Sequence, residues 1–178
     1  MIRLFAAIAI PDSVAQSLFI IQGGVPGARW QVREQLHLTL RFIGDVDGRD
    51  AAAVDDALSG LSAPGFAMRL KGVGEFGAKH PAALWAGVEK NEVLLHLQRK
   101  IETALQRAGF APEGRKYLPH VTLARLRGTP RGAVMDYLTD HALYTSEPFA
   151  VERFSLYSSV LTASGSKYAV EQDYELRG

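Results

Sequence analysis

The sequence predicts an α+β chain built as two similar lobes about an approximate two-fold axis, and three observations predict it. The stretch "LPHVTLARLRG" at residues 118–128 echoes "QLHLTLRFIGD" at 35–45, with the two histidines 83 positions apart. From His37 to the Phe of "FAM" and from His120 to the Phe of "FAV" the interval is the same, 29 residues. The elements also recur in one order: apolar strand, helix, histidine strand, helix, long strand. Two copies are too few for a solenoid, so the duplication implies a pair of lobes that carry equivalent strands to one place.

Residues 2–10 form an apolar run that reads as a buried strand. Pro11 and Asp12 then open a helix with Val14, Leu18 and Ile21 on one stripe, and the Gly pair at 23 and 24 stops it. In "HLTLRFIG", His37, Thr39 and Arg41 alternate with Leu38, Leu40 and Phe42, a period of two that means strand. "DVDGRDAAAVDDALSGL" follows as a helix closed near Gly60, and residues 66–76 read as one strand. "AALWAGVE" begins the second copy. "NEVLLHLQRKIETALQRAG" places Val93, Leu94, Leu97, Ile101 and Leu105 on a helical stripe ended by Gly109. "HVTLARL" is the next strand, "PRGAVMDYLTDHAL" the next helix, and "FAVERFSLYSSVL" and "KYAVEQDYEL" close the chain. The pattern gives one domain over 1–178 with pseudo-repeats at about 1–76 and 82–160 and a closing strand at 166–176.

The 178 residues are enough to bury a core without staples. The absence of cysteine removes disulfides, zinc thiolates, iron-sulfur clusters and thiol nucleophiles, and fits a reducing cytoplasm. The apolar run at 4–10 is too short to span a membrane and lacks the form of a signal peptide, so a cytoplasmic protein with no membrane partner is expected. A net charge of +1 gives no broad basic excess. Arg115, Lys116, Arg125, Arg127 and Arg131 nevertheless surround the second histidine strand with no acidic residue between them.

Residues two apart on a strand share a face, so His37 stands with Thr39 and His120 with Thr122. A two-fold axis brings both pairs into one cleft. Two imidazoles that titrate near neutrality supply a base and an acid, and two threonine hydroxyls can grip the non-bridging oxygens of a phosphodiester. In-line attack at phosphorus needs a base on one side and an acid on the other, which this symmetry provides. One histidine per strand with no nearby carboxylate makes a poor metal site, and no Gly-x-Ser-x-Gly elbow is present.

The paired "HLTL" at 37–40 and "HVTL" at 120–123, with "MIRLFAAIAIP", "ARWQVREQLHLTLRFIGDV", "ALWAGVE" and "PHVTLARL" around them, resemble the 2H phosphoesterases and, within these, the RNA 2′,3′-cyclic phosphodiesterases first described as 2′-5′ RNA ligases. The resemblance runs from Arg3 to about Tyr168. It implies a bilobal α+β fold with two antiparallel sheets lining a central cleft and helices outside. It also implies hydrolysis of an RNA terminal 2′,3′-cyclic phosphate to a 2′-phosphate without metal or cofactor, with reversible 2′-5′ joining in some members. His37 and His120 become the catalytic pair, His37 as acid and His120 as base, and Thr39 and Thr122 bind the phosphate. Arg125 matches a substrate-binding arginine, although strict alternation turns it away from Thr122 and demands a twist or bulge between them. The partner is then RNA with a cyclic phosphate end, or a nucleotide cyclic phosphate, acted on by a monomer. Two alternatives stay open: an RNA-end binding module without turnover, and a cyclic phosphodiesterase for a small nucleotide or ADP-ribose-like substrate.

Overall fold

A computed structural model describes residues 1–177. The elements are β1 (Ile2–Ala9), α1 (Asp12–Ile20), β2 (Ala28–Trp30), β3 (His37–Val46), α2 (Gly48–Ser59), β4 (Phe66–Met68), β5 (Leu70–Phe76), β6 (Ala83–Val88), α3 (Glu92–Arg107), β7 (His120–Leu126), α4 (Arg131–Asp140), β8 (Phe149–Val151), β9 (Arg153–Thr162) and β10 (Gly165–Glu175). A 3₁₀ turn, Arg33–Gln35, leads into β3. Among the described residues no helix is long and apolar enough to cross a membrane.

The helices form where the stripe and the caps agree. In α3, Leu94, Leu97, Ile101 and Leu105 are all buried, at about 1.5–3 kcal/mol for each side chain removed from water. Asn91 caps this helix by accepting from the Leu94 N–H, and Asp47 caps α2 by accepting from the Asp50 N–H. Val14 and Leu18 of α1 join the same core.

Two antiparallel sets of strands, β10-β9-β1-β3 and β7-β6-β5, meet between β3 and β7. Their junction is a single residue pair, Leu38 with Val121. Beyond it β3 and β7 diverge, and β2 takes up the vacated edge of β7 through Ala28, Arg29 and Trp30. A separate ribbon pairs β4 with β8, Phe66 with Val151, Ala67 with Ala150 and Met68 with Phe149. Leu38 and Val121 are 83 positions apart, and so are Ala67 and Ala150. The approximate axis passes through both central pairs, which explains why the 29-residue interval recurs.

Three details differ from the sequence reading. Residues 66–76 form two strands, with the break at Arg69: β4 joins the ribbon while β5 pairs with β6. The run from Phe149 breaks likewise at Glu152, sending β8 to the ribbon and β9 to β1. Consequently each copy delivers its last long strand to the sheet of the other: β5 lies beside β6, and β9 lies beside β1. The three-residue β2, which sequence periodicity had no length to reveal, is the other addition.

Candidate active site

Leu38 and Val121 are fully buried, so their neighbours on either side point the other way. Because the two strands run antiparallel through that one pair, His37, Thr39, His120 and Thr122 all open on the same side of the junction, in one cleft. The four residues picked out by the duplication are therefore brought together by one contact.

Each imidazole is fixed in the same way. His37 Nδ1 lies 2.8 Å from the Gln35 carbonyl oxygen, and His120 Nδ1 lies 2.7 Å from that of Leu118. A carbonyl can only accept, so Nδ1 carries the hydrogen in both rings and Nε2 is the nitrogen left for chemistry. Nε2 of His37 is 3.0 Å from the Thr39 hydroxyl. Tyr117 ties the approach to His120 to the other lobe, its hydroxyl donating to the Thr39 carbonyl at 2.8 Å.

The aromatic surroundings differ. Phe5 and Tyr168 pack on His37 with ring centroids 4.9 and 5.1 Å away, Tyr168 edge-on, and Tyr157 stacks on Phe5. His120 is flanked by Phe76 at 5.0 Å and Trp85 at 5.9 Å. Trp85 lies directly over its cross-strand partner Gly74, where even a Cβ would sit 2.3 Å from the indole. Burial pushes the His37 pKa down to about 4 despite the Gln35 carbonyl, with further lowering by the charges of His120 and Arg125. Burial and Arg125 also lower His120, against the Leu118 hydrogen bond.

Arg125 enters the cleft through a β-bulge. Thr122 pairs with Trp85 and Ala124 with Leu84, so Leu123 is an extra residue on β7 and the alternation changes parity after it. The burial pattern agrees, with Leu123 and Ala124 both buried and Arg125 exposed. Its charge reaches both histidines. The same bulge occurs on β3, where Ala7 pairs with Thr39 and Ala6 with Arg41, leaving Leu40 as the extra residue.

This second bulge corrects the sequence reading of Arg41. Instead of sharing the histidine face, Arg41 is only 7% exposed and forms an ion pair with Glu102, donating also to the carbonyls of Phe42 and Ala111. Burial pushes the Glu102 carboxyl up, but hydrogen bonds from Arg41, the Glu113 backbone and Gln106 outweigh it and hold the pKa at about 2. Phe42 takes the cleft face, half exposed, at the position equivalent to Arg125. Strict alternation hid it, and only the repeat offset of 83, applied together with the bulge, could have found it. Phe5 lies beneath His37 and is only 3% exposed, so it supports the imidazole and offers no open face to a base. Among the described residues no group of three or more His, Cys, Asp or Glu side chains is arranged to hold a metal ion.

Residues 21–162 match the model of a family described as the 2′-5′ RNA ligase superfamily. The chain belongs to that superfamily. It is 32% identical to the RNA 2′,3′-cyclic phosphodiesterase of Thermotoga maritima, over 99% of this chain and 96% of that protein. The protein of the same description from Archaeoglobus fulgidus is 31% identical, over 93% of this chain and 96% of its own length. The 2′-5′ RNA ligase fold extends to solved structures: TT0787 of Thermus thermophilus superposes with a TM-score of 0.83 at 24% identity, covering 99% of this chain and 98% of that one. E. coli LigT in its apo form gives 0.81 at 23% identity, covering 99% and 98%. The chain is thus a 2H phosphoesterase of α+β architecture.

Proposed function

We propose that this protein hydrolyses the 2′,3′-cyclic phosphate at an RNA end to a 2′-phosphate, with proton transfer by His37 and His120. The observation that carries this reading is the pair of locked imidazoles in one cleft, each with Nδ1 held by a carbonyl and each followed two residues on by a threonine. The activity named for the Thermotoga and Archaeoglobus relatives supports it. So do the complexes of E. coli LigT with 3′-AMP, ATP and phosphate.

In the reaction, Nε2 of one histidine takes a proton from water as the water oxygen bonds to phosphorus. The bond from phosphorus to O3′ breaks, and the other histidine, protonated at Nε2, gives its proton to O3′. A 2′-phosphate and a 3′-hydroxyl result. Thr39 and Thr122 donate to the non-bridging oxygens, and Arg125 balances the charge that grows there in the transition state. An RNA 5′-hydroxyl in place of the water gives 2′-5′ joining by the same displacement.

Electrostatics favour the opposite division of labour from the one the sequence suggested. Burial holds His37 down at about 4, with the charge of His120 among the lesser causes, which suits His37 to act as the neutral base. His120 is then the acid for O3′ and His37 the base for water. Phe42 offers an exposed ring for the terminal base.

The test is incubation of the purified protein with EDTA on a short RNA ending in a 2′,3′-cyclic phosphate, and identification of the product. A 2′-phosphate end is expected. No product, or a 3′-phosphate, overturns the reading.

A further inference from the structure

Beside the histidine cleft lies a cavity of about 260 Å³ whose walls include Arg29, Gln31, Gln35, Arg125, Ser166 and Tyr168, and none of its lining residues is acidic. It is continuous with the site through two residues. Gln35 supplies the carbonyl that locks His37, and Tyr168 packs edge-on against the same ring. The cavity lies between β2 and the hairpin joining β9 to β10. Gln35 Nε2 donates to the Ser166 carbonyl and Arg29 Nη2 donates weakly, at 3.4 Å, to that of Ala163.

Arg29 and Arg125 are direct cross-strand partners on β2 and β7. Two like charges placed opposite each other oppose strand pairing. Four other arginines are neutralised by a carboxylate: Arg3 by Asp45, Arg33 by Asp12, Arg41 by Glu102 and Arg153 by Glu175. Among the described residues neither Arg29 nor Arg125 has an acidic partner. An anion placed between them, next to the reacting phosphate, would relieve that repulsion.

We infer that Arg29, with the cavity it borders, binds the internucleotide phosphate on the 5′ side of the terminal nucleotide while Arg125 serves the reacting cyclic phosphate. The inference rests on the function proposed above and narrows it: the preferred substrate is a polynucleotide end, because a mononucleoside cyclic phosphate leaves the second position empty. Gln31 and Gln35 are neutral hydrogen-bonding groups at the same wall, suited to a singly charged diester.

The experiment compares three substrates: a mononucleoside 2′,3′-cyclic phosphate, a dinucleotide ending in that group, and the same dinucleotide with an uncharged methylphosphonate linkage. The wild-type protein should use the charged dinucleotide about tenfold better in kcat/KM than the other two. Arg29→Ala, an exposed site with one weak hydrogen bond, should remove that advantage through KM and leave mononucleotide turnover within about twofold. Arg29→Lys should restore part of it, and the methylphosphonate should cost the Arg29→Ala protein nothing further. Equal losses on mononucleotide and dinucleotide, or equal use of phosphate and methylphosphonate by the wild type, would overturn the inference.

Displacement binding of a dinucleotide bearing a 2′-phosphate separates this failure from that of the proposed function. Weaker binding by Arg29→Ala, absent for the methylphosphonate, upholds the phosphate position even if no cyclic phosphate is cleaved. Unchanged binding in that case removes it.

Discussion

His37 and His120 begin equivalent strands, donate Nδ1 to equivalent carbonyls and are followed by equivalent bulges, yet their surroundings have diverged. Phe5, Tyr157 and Tyr168 enclose His37, whereas Phe76 and Trp85 flank His120. After the bulge the first lobe has buried Arg41 and exposed Phe42, and the second has buried Ala124 and exposed Arg125. On the edge of β7 that β3 vacates, the strand β2 pairs through Ala28; its counterpart 83 positions on, Ala111, instead receives a hydrogen bond from the Arg41 side chain. Duplication has kept the backbone that aims the imidazoles, while divergence has given one side a base-sized aromatic and the other a cation. A symmetric frame thus serves an asymmetric substrate.

The largest effect expected is on turnover. His37→Ala and His120→Ala should each lower kcat by about 10²–10⁴-fold while the far-ultraviolet circular dichroism is unchanged. The double variant should be little worse than either single one, since both belong to one proton-transfer unit. Near-normal kcat in either variant would break the comparison at its root.

Next comes stability at the divergent edge. Arg41→Ala leaves the Glu102 carboxylate half-buried without its cation and should cost about 3–5 kcal/mol in chemical denaturation. Ala124, its counterpart, carries no such burden. A loss below about 1 kcal/mol would mean that Ala111 and Glu102 find other partners.

Arg125→Ala and Phe42→Ala sharpen the contrast between cation and aromatic. The first should lower kcat/KM by about 10–10²-fold on every cyclic phosphate. The second should raise KM by about 5–10-fold, with a dependence on base identity and little change in kcat. Identical profiles for the two variants would show that the positions have not diverged in role.

The smallest effects are in pH dependence. Both histidines are depressed in the free protein, so the kcat/KM optimum should lie below pH 6.5, the ordinary imidazole value, and the kcat optimum higher, because bound phosphate favours both imidazolium forms. Stability follows the same shift. The unfolded chain protonates His37 near 6.5 and the folded one near 4, so the unfolded state binds more protons in between and stability falls as pH drops through that window. His37→Gln should flatten that part of the curve, as read by melting temperature between about pH 7 and 4. A curve unchanged by the substitution would assign the acid lability elsewhere.

Much of this was legible in the sequence. The apolar stripe of α3 and the alternation around His37 and His120 are local patterns, and the equal 29-residue intervals are the imprint of the axis through Leu38–Val121 and Ala67–Ala150. What stayed hidden is non-local. A bulge adds a residue without marking it: "HLTLRF" and "HVTLAR" read as unbroken alternation, which placed Arg41 in the cleft and kept Phe42 out of it. The breaks at Arg69 and Glu152 are set by strands arriving from the other half of the chain, and no neighbouring residue announces them.

The exchange of β5 and β9 between the halves carries a consequence for ancestry. A chain of half this length, with one His-x-Thr copy, would present its last strand with no sheet of its own to complete, and a second molecule of the same kind would complete it. Such a swapped homodimer would already hold two imidazoles across its axis, both necessarily in identical settings. Joined in one chain, the two copies are free to differ, and only so can one position hold Phe42 while its equivalent holds Arg125.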